Sequence, residues 1–232
     1  MSNGWNESAA AWIADMGESG DFTREFVTDR PVLQRINGRS HRNALDVGCG
    51  EGRFCRMLRE RGIKAIGLDP TDEMLAEARR RDPDGDYRLG QAEALPFPDD
   101  MFDLVVSYLS LIDITDAKAA IHEMARVMRP GGSLIIVNLN SFTTAGAWED
   151  PPVKSRFVIR DYLDERAEWV EWRGIRIRNW HRPLSSYMKP LIEAGLILRY
   201  FDEPDTTGGP AERRARYRSI PYCHVTEWEK PA

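Results

Sequence analysis

Residues 43–52, NALDVGCGEG, constrain the fold more than any other part of the chain. Ala44, Leu45 and Val47 predict a short buried strand, and Phe54, Met57 and Leu58 recur at helical spacing just beyond it. Between them, Gly48, Gly50 and Gly52 permit a sharp turn that puts no side chain in a ligand's way. A strand, turn and helix in this order present backbone N–H groups and the positive end of a helix dipole to a polar or anionic group. A second apolar run over 64–68 ends at Asp69, about twenty residues after Gly48, where a carboxylate can accept from both hydroxyls of a ribose. The predicted ligand is a nucleoside derivative. A pyrophosphate reader is disfavoured, because Arg53 stands where the G-x-G-x-x-G fingerprint has its third glycine.

Further stretches follow in order: LDVGCGEGRF, GLDPTDEML, QAEALPFPDDMFDLVVS and HEMARVMRPGGSLII. Together they resemble the motif series of class I S-adenosylmethionine-dependent methyltransferases over residues 43–141, and only faintly beyond. The resemblance implies S-adenosyl-L-methionine as cofactor, with Asp46, Gly48, Cys49 and Gly50 around the first turn and Asp69 and Pro70 at the sugar. It also puts the adenine against the backbone N–H of Ala92 and the side chain before it. Many members carry aspartate there; this chain has Gln91, whose carbonyl can still accept from an exocyclic amine. Met74, one turn into the next helix, either lies against the purine or packs in the core. By the same resemblance, the backbone near Ser107 receives the methionine end of the cofactor and Tyr108 faces the substrate.

Alternating strands and helices predict an α/β fold, a doubly wound, mostly parallel seven-stranded sheet. At 232 residues the chain is read as one domain: an N-terminal helical cap at 1–42, a cofactor-binding half at 43–141, an insert at 142–183, and a helix with a closing hairpin at 184–232. The helix begun at Asp116 is expected to stop at Pro130, Gly131 and Gly132, and residues 102–111 to form one strand. The insert carries Trp148, Trp169, Trp172 and Trp180, with two strands joined at Arg173 and Gly174, and reads as an antiparallel lid over the transferred methyl group. Residues 202–217 are the candidate for disorder.

No apolar run approaches a membrane span and no secretory leader pattern is present, so a soluble, cytoplasmic protein is expected. Cys49, Cys55 and Cys223 form no C-x-x-C pair, and neither a disulfide framework nor a metal site is expected. A net charge of −5 argues against a nucleic-acid partner. Arg213, Arg214, Arg216 and Arg218 are the local exception. The oligomeric state is left at monomer or homodimer.

A methyltransferase holds a nucleophile against the methyl carbon and excludes water, so a base is optional. If one is used, His181 follows the lid, where substrate should come, and Tyr108 and Asp113 are the other candidates; Trp5, Trp12 and Arg24 in the N-terminal segment either touch the ligand or, the reading that aromatic burial favours, pack in the core. The expected substrate is a small, aromatic or heterocyclic molecule with an oxygen, nitrogen or carbon acceptor. Two alternatives stay open: a methyltransferase acting on protein or RNA, and a non-catalytic S-adenosylmethionine-binding regulator.

Overall fold

The structure, a computed structural model, describes residues 3–149 and 156–232. The chain opens with α1 (Trp5–Met16), followed by a π turn (Arg24–Thr28) that runs into α2 (Asp29–Asn37). Alternation then begins: β1 (Asn43–Val47), α3 (Arg53–Arg59), β2 (Lys64–Asp69), α4 (Asp72–Arg81), β3 (Asp86–Leu89), β4 (Phe102–Tyr108), α5 (Ala117–Val127) and β5 (Met128–Leu139). A short α6 (Ser141–Thr144) leads to two antiparallel ladders, β6 (Gly146–Glu149) with β7 (Arg156–Ile159), and β8 (Arg166–Trp172) with β9 (Ile175–His181). The chain ends with α7 (Leu184–Glu193), β10 (Ile197–Asp202), α8 (Ala211–Ser219) and β11 (Cys223–Glu229).

Seven strands form one sheet in the order β10-β11-β5-β4-β1-β2-β3. All neighbours pair in parallel except β11, which runs antiparallel to both β5 and β10. This is the doubly wound, mostly parallel sheet expected from the sequence. β4 is buried along its whole length, as a strand covered on both faces must be. Its alternate residues divide the core. Leu104 and Val106 join Val32, Ile36, Leu58 and Leu75 on one face, while Val105 joins Ile121, Met124 and Leu191 on the other. Each fully buried aliphatic side chain contributes about 1.5 to 3 kcal/mol, so these two layers fix where the strand ends lie.

Three boundaries differ from the sequence reading. Helix α5 stops at Val127, and Pro130, Gly131 and Gly132 lie in the first part of β5, where its pairing with β4 shifts register. The strand expected over 102–111 ends at Tyr108, since Leu109 takes a left-handed φ of 57°. Part of the segment expected to be disordered is helix α8, held by Tyr217, which is 4% exposed, and by Arg213 and Arg216 over the rings of Phe22 and Trp148.

The hairpin of β8 and β9 turns at Arg173 and Gly174, both at positive φ, as a two-residue hairpin turn requires. Its docking is specific. The Ser8 hydroxyl donates to the Arg176 carbonyl, the Arg178 N–H to the Asn3 carbonyl, and the Trp180 N–H to the Ile112 carbonyl. These bonds tie β9 both to α1 and to the loop after β4.

Candidate active site

The strand order reverses between β1 and β4, and open α/β sheets bind ligands at the carboxyl ends beside such a reversal. A cleft of about 360 Å³ lies there, lined by the turn after β1, the end of β2, the loop after β4, α1 and the hairpin. Its floor is the glycine turn. Gly48 sits at φ 77°, with its N–H donating to the Leu68 carbonyl at 2.7 Å, and a Cβ on it would fall 2.4 Å from that of Ser110. Gly50, at φ 54°, has nothing within 4 Å of its missing Cβ, so bare backbone faces the cleft.

Asp69 closes the turn from the neighbouring strand. One carboxylate oxygen accepts from the Gly50 N–H at 2.9 Å and the other from the Thr71 N–H at 2.9 Å. Burial raises its carboxyl above the usual carboxylate range, and the two backbone donors pull it back. Each oxygen keeps a lone pair for a ligand hydroxyl. Asp46 lies beneath, with one oxygen taking the Cys55 thiol at 3.5 Å and the other unpartnered. Burial pushes its carboxyl up to about 7. An orphaned carboxylate oxygen in a cleft wall calls for a ligand donor. Cys49 is buried with its thiol well above the ordinary value, so it contributes shape rather than charge.

Pro70, Met74, Gln91 and Ala92 line the same cleft beyond Asp69, so the expected sugar and adenine residues are brought together. Ser107 is not: it is fully buried, its hydroxyl bonded to that of Ser110, and Ser110, which donates to the Val47 carbonyl, reaches the cleft instead. Tyr108 lines the cleft, but its phenol is engaged with Thr28 at 2.6 Å and Asp29 at 2.8 Å. Burial, with Asp29 beside it, holds that phenol well above its ordinary range, which makes it a poor proton acceptor.

His181 lies away from the cleft. It is 2% exposed, its Nδ1 is paired with the Thr144 hydroxyl at 2.7 Å, and its Nε2 with the Tyr162 carbonyl at 2.9 Å. With both ring nitrogens occupied, it joins α6 to β9 and takes no substrate proton. His181→Leu is therefore expected to leave cofactor affinity unchanged and to lower stability by roughly 1 to 3 kcal/mol, the cost of unpaired buried groups. Calorimetric binding and urea melts check this; a tenfold loss of affinity at unchanged stability would contradict it.

The wall opposite the turn is aromatic. Trp5 meets Trp12 edge to face at 5.0 Å, and Trp12 meets Trp172 at 6.2 Å. Of the four insert tryptophans, only Trp172 lines the cleft; Trp148 packs on Phe157, Trp169 on Arg176 and Trp180 on Arg182. Arg24 lines it too, its guanidinium 5.2 Å from the Trp12 ring and paired with Asp21 at 3.1 Å. Sequence reasoning missed Ser110, Arg53 and Asn179, which enter from a loop, a helix start and a hairpin strand. No local signal marked them.

A switch-point cleft with a glycine turn, an acid at the next strand end and an orphaned carboxylate oxygen defines a nucleoside-binding, doubly wound protein. A family model described as a methyltransferase domain matches residues 45–136. A malonyl-[acyl-carrier protein] O-methyltransferase of Salmonella typhimurium is 39% identical over 171 residues, 72% of this chain and 67% of that one. A demethylmenaquinone methyltransferase of Beutenbergia cavernae is 30% identical over 206 residues, 73% of this chain and 85% of that one. Among the first relatives matched, the chain spans from about half to two thirds of their length. An S-adenosylmethionine-dependent methyltransferase from Mesorhizobium loti superimposes with a TM-score of 0.74 at 25% identity, over 86% of this chain and 96% of that one. The chain belongs to the class I S-adenosylmethionine-dependent methyltransferases, and S-adenosyl-L-methionine is its cofactor.

Proposed function

We propose that the protein methylates an oxygen, nitrogen or carbon nucleophile on a small, aromatic or heterocyclic molecule. The observation that carries this reading is continuity: one cleft runs from Gly48, Gly50 and Asp69 to the wall of Trp5, Trp12 and Trp172. Asp69 takes the ribose hydroxyls, Met74, Gln91 and Ala92 surround the adenine, and Asp46 with the turn at Gly48, Cys49 and Gly50 receives the amino acid end. The cofactor supplies an electrophilic methyl group; the chain supplies position and dryness, and proximity can account for roughly 7 to 11 kcal/mol of such a barrier. Tyr108 shapes the acceptor side with its ring.

The relatives' names point to different acceptors, an acyl-carrier-linked malonyl group and demethylmenaquinone. A tryptophan wall supports a planar acceptor of the second kind. Three of the four arginines of α8 have partners within the chain, which supports a small molecule over a macromolecule. Arg213 and Arg216 are spent on Phe22 and Trp148, and Arg218 pairs with Asp205 at 3.2 Å. In this reading residues 1–42 cap a single domain, 43–141 hold the cofactor, 142–183 cover the acceptor and 184–232 complete the sheet. Among the described residues, no helix is long and apolar enough to cross a membrane.

The test is transfer from methyl-labelled S-adenosylmethionine to a panel of phenols, amines and indoles. Label is expected in at least one class. Silence with every compound, alongside label in protein or RNA fractions, would overturn the small-molecule reading.

A further inference from the structure

The charged side chains of the cleft fall into two groups, and Asp113 belongs with Asp46, Asp69 and Glu93, which have no ion-pair partner among the described residues. Asp15 is paired with Arg173, Asp21 with Arg24, Arg53 with Asp29, and Glu51 with Arg56. Asp113 has no cation within ion-pair distance among the described residues, yet it lines the cleft beside Tyr108 and Ile112. Its side-chain donor is neutral, the Asn179 amide from β9.

The loop that carries it is fixed from behind. Arg182, 4% exposed, donates to the carbonyls of Ile114 at 2.8 Å and Thr115 at 2.7 Å, and Trp180 donates its N–H to the Ile112 carbonyl at 2.8 Å. Strand β9 and the arginine just after it therefore hold one carboxylate in the cleft without pairing a cation to it. One neutral donor leaves further lone pairs open toward the acceptor.

Building on the methyl-transfer reading, we infer that Asp113 is the base of the reaction, and that the acceptor arrives still carrying its proton, as a phenolic hydroxyl or an ammonium. A phenol's oxygen lone pair forms the bond to the methyl carbon as its proton moves away, whereas an ammonium first gives up a proton and then attacks with the freed nitrogen lone pair. In both cases the carbon–sulfur bond breaks and its electron pair stays on sulfur. The acceptor proton passes to an Asp113 oxygen and leaves to solvent before the next turnover. An ionised carboxylate acceptor would bring no proton and would meet like charge. Asn179 is a positioning residue, holding the carboxylate that does the work.

Burial pushes the Asp113 carboxyl up to about 8; Asp69 at the end of β2 raises it further, while Asn179, Trp5 and Arg24 favour the charged form. A group so placed is mostly protonated near neutral pH before the sulfonium enters the cleft. An opposite charge within about 4 to 6 Å favours the ionised form by roughly 1 to 3 pH units. The sulfonium should therefore expel the Asp113 proton on binding.

The test is calorimetry of S-adenosylmethionine and of uncharged-sulfur S-adenosylhomocysteine at pH 7.5, in buffers of different ionisation enthalpy. Both ligands carry the same ammonium, so a response from Asp46 is common to them, and the difference isolates the sulfonium. The wild type should release about half to three quarters of a proton more with the sulfonium than with the thioether. Asp113→Asn should remove that difference while still binding both. Asn179→Leu, which takes away a donor to the charged form, should shift the release to higher pH, and melting curves confirm folding of each variant. Equal release by wild type and Asp113→Asn overturns the inference. Failure of the wild type to bind either ligand would instead overturn the methyl-transfer reading.

Discussion

Asp69→Ala is expected to weaken S-adenosylmethionine binding at least a hundredfold by calorimetry. Hydrogen bonds to a charged group are worth about 1.5 to 3 kcal/mol each, so losing two ribose contacts removes about 3 to 6 kcal/mol, two to four powers of ten in affinity. The same change strips the Gly50 and Thr71 N–H groups of their acceptor, which loosens the turn itself. Asp69→Asn separates the two effects, because its amide oxygen still accepts while the charge is gone. Its loss should be smaller than that of the alanine variant. Affinity of Asp69→Ala within threefold of the wild type would remove Asp69 from the sugar site.

Gly48→Ala is expected to damage both stability and binding. A non-glycine residue in the left-handed region costs about 1 to 2 kcal/mol, and here the new methyl also falls 2.4 Å from the Ser110 Cβ. Overpacking adds about 1 to 3 kcal/mol, for a total of roughly 2 to 5 kcal/mol in urea melts. Ser110 cannot retreat freely, since its hydroxyl holds the Val47 carbonyl at 2.6 Å and the Ser107 hydroxyl at 2.7 Å. Gly50→Ala is the control. Its Cβ meets nothing, so it should lose only the strain of its φ. Equal melts for the two variants would contradict the close approach of the turn to the loop after β4.

Much of this architecture was legible in local pattern. The strand and helix around the glycine turn follow from apolar spacing over a few residues, and so does Asp69 at the end of β2. The hairpin of β8 and β9 followed from Arg173 and Gly174 between two alternating runs. What stayed hidden depends on distance along the chain. His181 follows the lid in sequence, yet the pairing of β9 with β8 and the contacts to Thr144 and Tyr162 turn its ring away from the cleft. Asp113 and Asn179 are far apart in sequence, and only the docking of β9 across the β4 loop brings amide to carboxylate. The helical character of 211–219 was masked by polar composition, because its partners Phe22 and Trp148 belong to other segments.

Cofactor binding rests on one grip, that of the bend after β1 and the acid at the end of β2 on an adenosyl group. A crystal structure of the protein with S-adenosylhomocysteine tests it most directly. Both ribose hydroxyls should lie within hydrogen-bond distance of the Asp69 carboxylate, with the adenine beside Met74 and Ala92 and the sulfur pointing toward Asp113. A nucleoside found outside this cleft, or in it with Asp69 still making only its Gly50 and Thr71 bonds, would contradict the account.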